Sequence, residues 1–231
     1  MITLVLIGGN STRFREAGFD TPKALLPMPS GAGSFTMLEA VLDTLHPDGP
    51  IVISGRAEMR GRLDGWPAGY WDWPTHWRQH ELSYVWSDGP ALGPLAGVVD
   101  AGALLARKGE SLLVSYCDVL FPLGVAHILH QWRGCHSGAV LFQSADPRFG
   151  YWKQGRVWEK IVKSHWAVSG LFYFRSATEC VRRAIQHREP GAGLPALLDW
   201  RTKMYRVRGI ELVDLGTPQD YQRFMAEAVR V

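Results

Sequence analysis

Long uninterrupted apolar runs are missing from this 231-residue sequence. A membrane-spanning helix requires roughly 18 or more consecutive apolar residues, and no stretch of the chain approaches that length. The opening segment, MITLVLIGG, carries no basic leader and leads directly into a strand-like run, so we expect no signal peptide. The sequence therefore predicts a protein without a membrane span, located in the cytoplasm.

Cysteine is also scarce. Cys117, Cys135 and Cys180 lie far apart, are odd in number and form no CxxC pair, which argues against a disulfide framework and a cysteine-based zinc site. Two histidine pairs have the spacing of ligands on a helix, but neither has a third ligand arranged nearby. These pairs are His76 with His80 and His127 with His130. We expect reduced thiols and no zinc.

The chain has little excess charge of either sign. Its 25 Lys and Arg residues against 22 Asp and Glu residues give a formal net charge of +3. The cations are scattered, and no basic run is interleaved with aromatic residues. A nucleic-acid-binding protein concentrates basic residues on one face, so we expect no nucleic-acid partner. Any electropositive site must be local.

Short apolar runs alternate with segments of helical periodicity in the first part of the chain. Such alternation requires crossover connections and predicts a mostly parallel sheet. After about residue 148 the rhythm changes to hairpin-like segments, which predict antiparallel additions. We predict one Rossmann-like three-layer α/β domain over residues 1–231, with a mixed, mostly parallel central sheet. The predicted strands include residues 2–7, 50–54, 82–86, 111–116 and 137–142.

Two helices are indicated by apolar spacing, one from Leu92 to Ala106 and one near the C-terminus. Thr217, followed by Pro218, has the features of a helix start. Residues 66–86 hold half of the tryptophans and two prolines, which argue against one continuous helix. We expect these aromatic side chains to pack in an irregular excursion rather than to stack on a ligand.

The first predicted strand ends in a glycine turn that is followed by cations. Because Gly8 and Gly9 have no side chains, their backbone amide groups can approach phosphate oxygens. Glycine after a strand is, however, equally common in ordinary turns. Arg13, whose planar guanidinium matches phosphate oxygens, and Lys23, on a loop stiffened by Pro22, favour phosphate binding. The intervening turn residues are Asn10, Ser11 and Thr12.

Four segments resemble motifs of one enzyme family in its own order. GGNSTRF (8–14) with PKALLP (22–27) is similar to the G-x-G-T-R and P-K-x-L-L-P signature of the nucleoside-triphosphate transferases that make nucleotide sugars, but lacks the second glycine. The other three are SYCDVLF (115–121), EKIVKSHWAVSGLFYF (159–174) and VDLGTPQDY (213–221). The chain looks closest to short bacterial members associated with capsule and surface-polysaccharide pathways.

The resemblance implies a magnesium-dependent enzyme. Asp118, at the end of a predicted strand, and Asp214 would be the magnesium ligands. Arg13 and Lys23 would hold the triphosphate and act with Asp118 in catalysis. Residues 1–147 would mainly bind the nucleotide.

The acceptor would be bound mainly by residues 148–231, which include the C-terminal helix. On the same resemblance Lys160 would bind the acceptor phosphate and Glu159 a sugar hydroxyl. Further acceptor-site residues would be Gly150, Ser169 and Gly170.

The base-reading segment matches the family least. Residues 87–97 supply Gly93 for the expected turn, but Ser87 or Asp88 stands where the family has Gln. The choice of base stays open. So do ordinary structural interpretations: Asp88 as a loop acid, Asp118 as a capping residue, Asp214 as a surface acid, and Glu159 with Lys160 as exposed strand residues.

The expected reaction joins an NTP to a sugar 1-phosphate and releases pyrophosphate, by in-line attack on the α-phosphate without a covalent enzyme intermediate. One alternative is a cytidylyltransferase acting on a non-sugar phosphate such as phosphocholine. Others are a glycosyltransferase, against which Arg13 and Lys23 argue, and a binding domain without activity. Short members of the family often assemble, so a homo-oligomer is compatible with the resemblance.

Overall fold

The structure is a computed structural model of the chain. It describes residues 1–9, 11–29, 35–57, 59, 76–88, 93–106, 110–187, 189, 192–207 and 212–228.

The centre of the main sheet is parallel. Strand β1 (Ile2–Leu6) pairs with β4 (Ile51–Arg56) on one side and with β7 (Leu112–Tyr116) on the other. Strand β4 pairs in parallel with β6 (His80–Ser87). The strand order 7-1-4-6 requires crossover connections, as the alternation of apolar and helical segments predicted.

An antiparallel extension begins beside β7. Strand β12 (Trp166–Phe174) runs antiparallel to β7, to β9 (Ser137–Gln143) and to β10 (Gly150–Lys153). Strand β10 forms a hairpin with β11 (Arg156–Glu159). The predicted mixed, mostly parallel sheet is confirmed, and the β10–β11 hairpin lies after residue 148 as expected.

The remaining elements are short strands and covering helices. The short strands are β2 (Pro27–Met28), β3 (Phe35–Thr36), β5 (His76–Trp77), β8 (Val119–Leu120), β13 (Lys203–Arg206) and β14 (Val213–Asp214). The helices are α1 (Thr12–Glu16), α2 (Met37–Leu45), α3 (Pro94–Asp100), α4 (Gly102–Leu105), α5 (Ala126–Gln131), α6 (Ala177–Gln186) and α7 (Pro218–Ala228). Within the described ranges, no helix has the length and apolar character needed to cross a membrane.

Hydrophobic layers cover both faces of the sheet. Alternate residues of β1 point to opposite sides, so Val5 belongs to one buried cluster and Leu4 to the other. Leu38 of α2 packs in the first cluster, whereas Leu95 of α3 and Cys180 of α6 pack in the second. This arrangement gives the predicted helix–sheet–helix layering.

Two helix predictions had different outcomes. Thr217 does begin the C-terminal helix, because its Oγ1 accepts a hydrogen bond from the Asp220 N–H at 3.1 Å. The prediction of a single helix up to Ala106 is wrong. In the described part, two helices, α3 and α4, are separated at Ala101. Gly102 lies so close to α6 that an added Cβ would be 3.1 Å from Val181 Cγ1, and glycine is a poor helix former.

The tryptophan-rich segment is described only from residue 76 onward; residues 66–75 lie outside the described part. Residues 76–87 form the β5–β6 hairpin rather than an irregular excursion, because HELSYVW has the alternation of a strand. Trp77 packs in the core, which confirms the packing interpretation for that residue. His76 and His80 lie on opposite strands of the hairpin, not on one helix face.

Candidate active site

The carboxyl ends of β1 and β7 lie side by side because these strands are parallel neighbours. Leu6 pairs with Tyr116, and the Cys117 N–H donates to the Leu6 carbonyl at 3.3 Å. Gly8 and Asp118 therefore leave the sheet at the same edge. Ligands of open α/β sheets bind at this edge.

A small two-stranded ladder brings a second acid to Asp118. Strand β14 runs antiparallel to β8 so that Asp214 pairs with Val119, and the Leu215 N–H donates to the Asp118 carbonyl at 2.7 Å. A Cβ added to Gly216 would lie 2.9 Å from Asp214 Oδ1 and 3.3 Å from Asp118 Oδ2. The two carboxylates therefore border one space that Gly216 leaves free of a side chain.

Lys23 reaches this pair of acids from the N-terminal segment. Residues Lys23–Leu25 form a 3-10 turn, anchored by the buried side chains of Ala24 and Leu25. The Lys23 Nζ lies 2.5 Å from Asp118 Oδ2, and the two side chains are only 17% and 16% exposed. Burial disfavours the charged amine, but attraction to Asp118 and Asp214 more than offsets it and raises the pKa of Lys23. Lys23 is therefore a fixed cation at this edge.

Asp214 lies in an environment that suits a divalent cation. Desolvation and repulsion by Asp118 raise the pKa of Asp214 to about 6, against the opposing effects of the Gly216 amide and Arg148. Two partly buried carboxylates that repel each other match the oxygen ligands preferred by magnesium. The described residues contain no cluster of three or more His, Cys, Asp or Glu side chains that would enclose a metal. A magnesium ion here would need phosphate and water oxygens as further ligands.

Arg148, which was not among the predicted residues, also contacts this site. Its Nη2 donates to Asp214 Oδ1 at 3.1 Å, and its Nη1 donates to Asp220 Oδ2 at 3.0 Å. Arg148 lies in the segment between β9 and β10, which also carries Asp146. No motif marks this arginine in the sequence, because Asp214 and Asp220 lie more than 60 residues further along the chain.

The glycine turn after β1 is followed by helix α1. Ser11 has a left-handed backbone with φ 49°, and α1 begins at Thr12. Phe14 is buried, and the Lys23 Nζ lies 6.0 Å from its ring centroid. Arg13 precedes Phe14 and has an exposed side chain. Other residues predicted here are Gly8, which lies against Gly55 and Arg56, Gly9, which has open space around it, and Asn10, which lies outside the described residues.

The predicted base-reading residues lie on either side of a segment outside the described part. Asp88 is exposed directly after β6, and Gly93 precedes α3 with φ 88°. This positive φ favours glycine at residue 93. Residues 89–92, which connect them, are among those not described.

The predicted acceptor residues Gly150 and Glu159 lie close together, beside Gly193 and the Tyr116 hydroxyl. Gly150 pairs with Glu159 across the β10–β11 hairpin, and an added Cβ at Gly150 would lie 3.2 Å from Glu159 Oε2. An added Cβ at Gly193 would lie 3.6 Å from Glu159 Oε1 and 4.0 Å from the Tyr116 hydroxyl. Desolvation raises the pKa of Glu159, although Lys160 opposes this shift. Sequence reasoning missed Tyr116 and Gly193 as members of this group.

A bulge in β12 lies against the Tyr116 side chain. The register of β12 against β9 shifts between Val168 and Phe172, and Ser169 Oγ accepts from the Leu171 N–H at 3.2 Å within the bulge. An added Cβ at Gly170 would lie 2.7 Å from Tyr116 Cδ2. Lys160 is exposed and has a left-handed backbone with φ 53°.

The family of the chain follows from its match to a domain family. Residues 3–203 match the MobA-like NTP transferase domain. The chain belongs to this family. It is therefore a nucleotidyltransferase, as the four motifs predicted. No curated protein matches the chain.

Solved structures share the fold at low sequence identity. A Bacillus anthracis protein, provisionally named glucose-1-phosphate thymidylyltransferase and solved with sucrose, has a TM-score of 0.74 and 19% identity, with 100% of this chain and 96% of that chain covered. A nucleoside-diphosphate-sugar pyrophosphorylase from Vibrio cholerae RC9 has a TM-score of 0.69 and 18% identity, with 98% and 100% covered. A UDP-glucose pyrophosphorylase complexed with UDP-glucose has a TM-score of 0.72 and 16% identity, with 99% and 98% covered. These likenesses support the Rossmann-like α/β assignment.

Proposed function

We propose that this nucleotidyltransferase joins an NTP to a sugar 1-phosphate, giving an NDP-sugar and pyrophosphate. The observation that carries the proposal is the convergence of Lys23, Asp118 and Asp214 at the carboxyl edge of the sheet, next to the space around Glu159 and Tyr116. Three solved structures of the same fold are named for nucleotide-sugar chemistry, which supports a sugar phosphate as the acceptor.

Magnesium fits the two carboxylates, and we assign Asp118 and Asp214 as its protein ligands. When bound, the ion would offset phosphate charge and orient the triphosphate. Lys23 would add a fixed positive charge beside the same phosphates. Arg13, exposed on α1 at the same edge of the sheet, would bind outer phosphate oxygens with its planar guanidinium.

The reaction needs positioning and charge compensation rather than a protein nucleophile. An oxygen of the acceptor phosphate forms the new bond to the α-phosphorus of the NTP. The bond from that phosphorus to the oxygen bridging the α- and β-phosphates breaks, and pyrophosphate leaves with the electron pair. Lys23 stabilises the negative charge that develops during this exchange.

The acceptor would lie on the antiparallel side of the sheet. The Glu159 carboxylate would accept a hydrogen bond from a sugar hydroxyl, and Lys160 would pair with the acceptor phosphate. Gly150, Ser169 and Gly170 would shape the pocket. In this assignment residues 1–147 mainly bind nucleotide and residues 148–231 mainly bind acceptor.

A substrate panel tests the proposal. The protein is incubated with magnesium, each common NTP and a set of sugar 1-phosphates and alcohol phosphates that includes phosphocholine, and both pyrophosphate and product mass are measured. We expect pyrophosphate together with the mass of one NDP-sugar. If phosphocholine yields a cytidine diphosphate product, the acceptor is a non-sugar phosphate, as in the alternative above, and not a sugar 1-phosphate. Absence of pyrophosphate with every pair, or undiminished turnover by Asp118→Asn, would overturn the proposal.

A further inference from the structure

Arg148 connects the loop before β10 to the Asp214 carboxylate. It lies two residues before Gly150, the first residue of β10. Besides its hydrogen bonds to Asp214 and Asp220, its Nε lies 3.1 Å from Asp146 Oδ2. Only 18% of the Arg148 side chain is exposed. One largely desolvated guanidinium therefore contacts three carboxylates, one in its own loop and two in the segment 213–221.

The bond from Arg148 to Asp214 involves one particular oxygen. Asp214 Oδ1 accepts from Arg148 Nη2 at 3.1 Å and from the Gly216 N–H at 2.9 Å. Two donors from different segments therefore fix the rotation of this carboxylate. Within the described residues, Asp214 Oδ2 accepts no hydrogen bond. The fixed rotation thus leaves one oxygen available for a ligand.

A purely structural role for Arg148 makes a different prediction. The arginine also packs over the Phe149 ring, 4.6 Å from its centroid. Through Asp220 it contacts the start of α7, where the Thr217 hydroxyl donates to the same Asp220 Oδ2 at 2.6 Å. If these contacts were its whole contribution, replacing Arg148 would lower stability without changing how the folded protein binds a cation.

We propose that Arg148 is a positioning residue for nucleotidyl transfer, which orients the Asp214 carboxylate for cation binding. This inference rests on the proposed function. The planar guanidinium presents two donors in fixed directions, so it reaches Asp214 and Asp220 together. A lysine would keep the charge but would not hold both carboxylates in this geometry. Groups that orient a metal ligand commonly change metal affinity when they are replaced.

The test compares Arg148→Lys and Arg148→Met with the wild-type protein. The thermal unfolding midpoint is measured against magnesium concentration, with and without a non-hydrolysable NTP analogue, and the magnesium dependence of pyrophosphate release is measured in parallel. Arg182→Met is the matched control, because Arg182 pairs with Glu179 and is 57% exposed. We expect Arg148→Lys to raise the half-saturating magnesium concentration by about 10- to 100-fold, Arg148→Met to raise it at least as much, and Arg182→Met to leave it unchanged.

The outcomes separate this inference from the proposed function. If wild-type protein responds to magnesium and folded Arg148→Lys gives the same half-saturating concentration, the positioning role is wrong and the proposed function stands. The positioning role is equally wrong if the midpoint without magnesium falls but the half-saturating concentration does not change. If the wild-type protein forms an NDP-sugar without any response to a divalent cation, the magnesium assignment and the positioning role are both wrong.

Discussion

Lys23 and Asp118, which are 95 residues apart in the chain, form an ion pair of 2.5 Å at the carboxyl edge of the sheet. Asp214 contributes to the same electrostatic environment, because it too raises the pKa of Lys23. Lys23 therefore compensates the charge of two carboxylates. In the proposed reaction the same ammonium group would lie beside the triphosphate.

Replacing Lys23 with methionine should impair both stability and transfer. Loss of the ammonium leaves Asp118 and Asp214 without their compensating lysine, and we expect the free energy of unfolding to fall by about 1.5–3 kcal/mol. Turnover should fall by about 10²–10³-fold because charge developing on the phosphates loses a fixed cation. Urea denaturation and pyrophosphate release measure the two effects.

The matched control for Lys23 is Lys203→Met, which removes an exposed lysine on β13. Stability and turnover should both stay close to the wild-type values. If Lys23→Met kept wild-type turnover, Lys23 would have no part in phosphate chemistry. If the control lost as much activity as Lys23→Met, the effect would reflect overall charge rather than this site.

The three cysteines should differ sharply in reactivity. Burial raises the pKa of Cys117 to about 11 and that of Cys180 to about 12, so both remain thiols at pH near 8, and the thiolate is the reactive form. Cys135 is only partly buried. We expect one rapidly reacting thiol per chain with a chromogenic disulfide reagent, and three after denaturation. Cys135→Ser should remove the rapid reaction, whereas a rapid reaction that persisted in this variant would contradict the burial of Cys117 and Cys180.

Gly170 should not tolerate a side chain. A Cβ at residue 170 would approach Tyr116 Cδ2 at 2.7 Å and Tyr116 Cβ at 2.9 Å, so Gly170→Ala should lower the free energy of unfolding by about 1–3 kcal/mol. In a Tyr116→Ala background the loss should be smaller but not abolished, because the ring is gone while the Cβ of residue 116 remains. Gly9→Ala is the control, since nothing lies within 4 Å of its added Cβ. Equal losses in both backgrounds, measured by urea denaturation, would exclude a contribution from the clash with the Tyr116 ring.

Sequence reasoning succeeded where chemistry limits the residue type. The family motifs predicted that Lys23, Asp118 and Asp214 would lie together, and they do; their roles toward phosphate and magnesium stay predictions. Strand alternation similarly predicted the mixed sheet. These signals are local in the sequence and independent of which distant segments meet.

Other features depend on contacts between distant segments and could not be predicted in this way. Arg148 contacts Asp214 and Asp220 only because the segment before β10 packs against the start of α7. The break between α3 and α4 likewise involves the close approach of Gly102 to Val181 on another helix. Local periodicity carries no information about either contact.

Glu159→Gln should weaken acceptor binding selectively. The amide keeps the shape and one acceptor oxygen but loses the negative charge that strengthens the hydrogen bond from a sugar hydroxyl, so the KM for the sugar 1-phosphate should rise about tenfold while kcat changes little. Desolvation raises the pKa of Glu159, so the wild-type KM should rise as the pH falls toward that pKa, and the variant should lack this rise. Initial rates across pH measure both effects, with Glu179→Gln on α6 as the control. A wild-type KM and pH profile in Glu159→Gln would remove Glu159 from the acceptor site.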